Sequence, residues 1–73
     1  MYEFKVYRNH VVNVRTTTDN WEAADDLYCD NIEHYMAHGY RFKGYQNRSR
    51  NAYSVCMTND VDTLELVVRD ITR

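Results

Sequence analysis

Proline is absent from the 73 residues, and glycine occurs only at Gly39 and Gly44. No Pro- or Gly-rich stretch marks a linker, so residues 1–73 are read as one small domain. Two isolated glycines also exclude a phosphate-cradling loop. No apolar run approaches the length of a membrane span. Met1-Tyr2-Glu3-Phe4-Lys5 lacks the basic start and apolar core of a signal peptide. The sequence therefore predicts a soluble, cytoplasmic protein. Two cysteines, Cys29 and Cys56, are too few for a disulfide scaffold and lack metal-pair spacing, so they are read as buried free thiols. Neither serine, Ser49 or Ser54, stands in a nucleophile elbow. With no catalytic motif, a non-enzyme without a cofactor is expected.

What is present is enough apolar surface to fold. Apolar residues make up 44% and charged residues 27%, which argues against disorder. The formal charge of −2 conceals a strong segregation. Residues 16–39 hold Asp19, Glu22, Asp25, Asp26, Asp30 and Glu33 with no Lys or Arg. Residues 40–53, "YRFKGYQNRSRNAY", hold Arg41, Lys43, Arg48 and Arg50 with no acid. A two-sided field of this kind steers association.

Residues 2–16 alternate and are rich in Val, Tyr and Thr, which predicts a hairpin turning at "RNH". Phe4 and Val6 would face the core from its first strand, Val12 and Val14 from its second. A helix is predicted from about 19 to 38. Thr18 or Asp19 would cap it, with Glu22 in capping-box order after Asp19. Trp21, Ala24, Tyr28, Ile32, Tyr35 and Met36 share one face, and Gly39 suits a left-handed C-cap. Residues 40–46 and 52–58 read as strands joined at "NRSRN". In the tail, Leu64, Leu66 and Val68 fit strand alternation, while Val61, Leu64, Val68 and Ile71 fit a helical face. The β-branched residues favour a strand. The expected fold is α+β: an antiparallel β-sheet, made of an N-terminal hairpin and a C-terminal meander, covered on one face by a single amphipathic helix.

Three patterns bear on chemistry. Glu22, Asp26 and Asp30 recur every fourth residue with Glu33 beside them, away from the helix's apolar face. Like charges so spaced destabilise an isolated helix by about 0.2–0.5 kcal/mol each, and no base in the helix relieves them. The stripe is either a solvated face or a dock for a positive surface. Asp30, His34 and His38 also share a face, and with His10 they could hold zinc. "HYMAH" lacks the glutamate of a metalloprotease helix, however, and exposed histidines without metal are the stronger reading. "NDVD" at 59–62 lacks the Gly and distal Glu of a calcium loop and reads as a turn.

In an unbroken strand 40–46, Tyr40 and Phe42 point inward while Arg41, Lys43 and Tyr45 point outward. Arg48 and Arg50 would extend that outward stripe through the turn. Tyr and Arg are the residues enriched at protein hot spots. They also serve single-stranded nucleic acid, through base stacking and phosphate neutralisation.

The helix segment "DNWEAADDLY" and the hairpin segment "RFKGYQNRSR" give the chain a size, element order and charge layout similar to small bacteriophage-encoded regulators of host machinery, among them those that bind RNA polymerase. The resemblance implies a protein that acts in the host cytoplasm by occupying a surface of a host complex such as bacterial RNA polymerase. No functional residue is carried over from it. The expected function is a non-enzymatic protein-binding module that uses Arg41, Lys43, Tyr45, Arg48 and Arg50 with Glu22, Asp26, Asp30 and Glu33. The alternative is an RNA or single-stranded DNA binder using the hairpin.

Overall fold

The computed structural model describes residues 1–71. Strands β1 (Tyr2–Arg8) and β2 (Val11–Thr18) precede helix α1 (Trp21–Ala37). The short strands β3 (Arg41–Phe42) and β4 (Asn47–Arg48) follow, then β5 (Ala52–Thr58) and β6 (Thr63–Asp70). The sheet is antiparallel throughout, ordered β2-β1-β6-β5-β3, with β4 also paired to β5. The fold is α+β, with α1 lying on one face over β1 and β6.

β6 is the tail that fits both periodicities; its β-branched residues favour a strand, and it is one. It runs between β1 and β5, so both its edges are hydrogen-bonded. Leu64, Leu66 and Val68 point to the helix and are buried. Phe4, Val6, Val55 and Met57 join them from the neighbouring strands, and Ala24, Tyr28 and Tyr35 from the helix. Full burial of each large apolar side chain contributes about 1.5–3 kcal/mol. Two of the sheet turns use left-handed backbone. Asn9 and His10 have φ of 50° and 71°, as a two-residue hairpin with the right twist requires. Asp60 has φ of 74° in the 59–62 turn, which the Asn59 carboxamide closes by accepting from the backbone of Val61 and Asp62.

Three local expectations are corrected. Val12 does not face the core. Val6 pairs with Val14 but Tyr7 pairs with Val12, so a bulge at Asn13 reverses the alternation and turns Val12 to the outer face, 48% exposed. The helix is capped by Asn20, neither Thr18 nor Asp19. The Asn20 side chain accepts from the backbone N–H of Ala23 at 2.8 Å, while the Thr18 hydroxyl donates to the Asn20 carbonyl. The cysteines are free but not buried: Cys29 is exposed and Cys56 half-buried. At the other helix end Gly39, with φ of 88°, supplies the left-handed position after the His38 cap.

The predicted strand 40–46 is interrupted. Only Arg41 and Phe42 pair with β5 before the chain bends at Gly44, whose φ is 78°. It returns to β5 at Asn47 and Arg48. Residues 44–46 thus arch beside the helix instead of lying in the sheet.

Candidate functional site

The arch creates a groove. α1 sits over β1 and β6, which leaves β5 flanked by the helix on one side and by residues 42–50 on the other. One end of the groove is a cleft of ≈ 470 Å³ whose lining includes Trp21, Asp25, Tyr28, Tyr53, Arg48 and Arg50. The other is a shallower space of ≈ 370 Å³ lined by Tyr28, Ile32, Phe42, Gly44, Tyr45, Gln46 and Val55. Tyr28 and Gln46 belong to both, and the Gln46 carboxamide donates to the Tyr28 hydroxyl at 3.1 Å between them.

The floor is ordered by aromatic contacts. The Tyr28 and Tyr53 rings meet edge-to-face with centroids 4.9 Å apart. The Tyr53 hydroxyl donates to the Asp25 carboxylate at 2.6 Å, tying β5 to the helix. Burial, then this hydrogen bond, raises the Tyr53 pKa, so its phenol stays protonated. Burial likewise raises the Tyr28 phenol, opposed by Gln46. Cys29, on the helix wall, is pushed up by partial burial and by Asp25, Asp26, Asp30 and Glu33, which leaves it without thiolate character. Asp25 thus accepts from both the Tyr53 hydroxyl and the Cys29 thiol, while Gln46 donates to Tyr28.

Gly44 divides the basic segment between two faces. Arg41 stands opposite Thr58 on the sheet face away from the helix, where its guanidinium pairs with Asp60. Lys43 lies beside Cys56, whose carbonyl accepts from its backbone N–H at 2.9 Å. Tyr45 is on the helix side instead, 94% exposed at the groove's rim. Arg48 stands over the Tyr53 ring, 5.7 Å from its centroid, and Arg50 lines the same cleft. The single outward stripe read from strand alternation therefore does not exist. Phe42 is inward in direction but 49% exposed, because nothing lies over the outer part of the groove.

The acidic helix residues Glu22, Asp26, Asp30 and Glu33 are all solvent-exposed and lie along the helix next to Asp25. His34 and His38 stack with ring centroids 4.3 Å apart. No group of three or more His, Cys, Asp or Glu residues among those described is placed to hold a metal ion. In the 59–62 turn Asp62 is bonded by Arg8 and Asn9.

The sequence puts Trp21 on the helix's apolar face and gives no role to Gln46. Trp21 is 47% exposed because, as the first helical residue, it stands at the open end of the groove. A tryptophan at the very start of an apolar helix face is the signal that could have identified it. No helix among the described residues is long and apolar enough to cross a membrane. No family model, curated protein or solved structure matches the chain.

Proposed function

We propose that this chain is a non-enzymatic protein-binding module that takes an apolar element of its partner into the groove between α1 and residues 42–50. The observation that carries this reading is the exposure of three large aromatic side chains along one groove: Trp21 at 47%, Phe42 at 49% and Tyr45 at 94%. Leaving such side chains in water forgoes their burial energy, and exposed apolar clusters with polar rims mark interaction sites. Arg48 and Arg50 on one wall and Asp25 on the other supply that rim, with the exposed acids Glu22, Asp26, Asp30 and Glu33 farther round the helix. The partner surface would carry basic residues facing Glu22, Asp26, Asp30 and Glu33, with an aliphatic or aromatic anchor between Trp21 and Tyr45.

Bacterial RNA polymerase, the partner implied by the resemblance to phage regulators, is the first to test. The protein would act on it by covering a surface. The hairpin-only nucleic-acid alternative has less support, because Arg41 is engaged by Asp60 and Gly44 separates Tyr45 from Lys43. Binding of the purified protein to polymerase holoenzyme is measured by interferometry. Trp21→Ala and Tyr45→Ala should each weaken it about 30-fold or more, the scale of a hot-spot truncation. Failure to bind removes polymerase as the partner. Affinities unchanged in both variants, for polymerase or for any other confirmed partner, overturn the groove as the site.

A further inference from the structure

The sheet face opposite the helix is uncovered by any described element. Its composition follows from register. Thr17, Glu3, Arg69 and Ala52 form one row across the strands, and Arg15, Lys5, Val67 and Ser54 the next. Val12, Tyr7, Glu65 and Cys56 form a third. Arg41 and Lys43 extend the face at its far edge. It therefore gathers five cations, Lys5, Arg15, Arg41, Lys43 and Arg69, from segments distant in sequence. The acids are Glu3 and Glu65, with Asp60 closing on Arg41.

Glu3 is the informative residue. Its side chain is only 3% exposed, although no element lies above it. It is buried by its own cations: Arg15 at 2.6 Å, Lys5 at 3.3 Å and Arg69 at 3.3 Å. One carboxylate thus holds three long basic side chains together, leaving a local surplus of positive charge. Arg15 and Arg69 remain 62% and 52% exposed above it. Immobilising such side chains costs rotamer entropy that an incoming anion would otherwise meet. Beside this cluster Tyr7 offers the face's aromatic ring, with the Lys5 ammonium 5.8 Å from its centroid.

We infer that this face binds single-stranded nucleic acid, with Arg15, Arg69 and Lys5 on successive phosphates and Tyr7 stacking on a base. An uncovered sheet face bearing a half-buried tyrosine ring and preordered cations suits an unpaired strand, whose bases are free to stack outward. Phosphate contact and stacking do not separate RNA from DNA, so both bind alike. The acidic helix lies on the opposite face and does not confront the strand. The site is separate from the groove proposed for a protein partner.

Fluorescence anisotropy with labelled rU20, dT20 and a duplex of equal length tests this, at 20 to 200 mM salt. Micromolar binding to both single strands is expected at low salt, with log affinity falling by about two per decade of salt for three phosphates. Arg15→Gln with Arg69→Gln should weaken binding at least tenfold and flatten that slope. Tyr7→Leu should weaken it about 5- to 100-fold with the slope unchanged. Circular dichroism confirms that the variants are folded, and Lys5→Gln replaces any variant that is not. Absence of binding at 20 mM salt overturns the proposal. So does an unchanged affinity in the double variant, a preference for duplex, or equal binding to a polyglutamate peptide of matched charge. That last result would make the face a site for acidic protein.

Discussion

At the residue scale, Glu3 shows how a charge is buried without a covering layer. Burial alone would raise its pKa, but hydrogen bonds and charges from Arg15 and Lys5 outweigh that and hold it below the ordinary carboxylate value of 4.5. The stabilisation this implies is complete above the unfolded pKa and is lost as pH falls through the depressed folded value. Glu3→Gln should therefore cost about 1–3 kcal/mol at pH 7, on the scale of a hydrogen bond to a charged group. The gap between variant and wild type should close towards pH 2–3. Urea titration at the two pH values measures both. Sequence showed Glu3 only as the lone acid of a basic segment. Its role depends on Arg69, 66 positions away, and no local pattern carries that pairing.

At the element scale, single residues decide where each strand faces. The extra residue in β2 turns Val12 outward, and Gly44 bends the chain out of the sheet to make the groove's second wall. A Cβ at Gly44 would meet nothing within 4 Å, so substitution there is opposed by backbone conformation alone. Gly44→Ala should destabilise by about 1–2 kcal/mol through its left-handed φ and weaken partner binding at the groove. Thermal melting and the interferometric assay measure the two effects. The helix, both long hairpin strands and the C-terminal strand were legible from periodicity and β-branching, because burial imposes a regular pattern there. The bulge and the arch were not, since neither leaves a repeat. The positive φ of Gly44 is not written in any local pattern.

At the scale of the whole molecule, the helix and the open sheet face carry opposite net charge. Acids occupy the helix, while the open sheet face collects Lys5, Arg15, Arg41, Lys43 and Arg69. Fields of this kind act on encounter rates and are screened over about 10 Å at 0.1 M salt. Reversing Glu22, Asp26 and Asp30 to Lys should slow association with a groove partner at least tenfold at low salt. It should change dissociation much less, as stopped-flow mixing would show. An association rate unaffected by the reversal would make the stripe a solvated face.

The α+β class, the helix and its acidic stripe, and the strand character of the core-facing segments follow from the sequence alone, because periodicity and local charge are properties of neighbouring residues. The groove and the basic sheet face belong to the tertiary structure. Strand pairing brings Glu3 beside Arg15 and Arg69, and the bend at Gly44 sets Tyr45 across from Ile32. Both depend on contacts between distant segments, which only the folded chain brings into register.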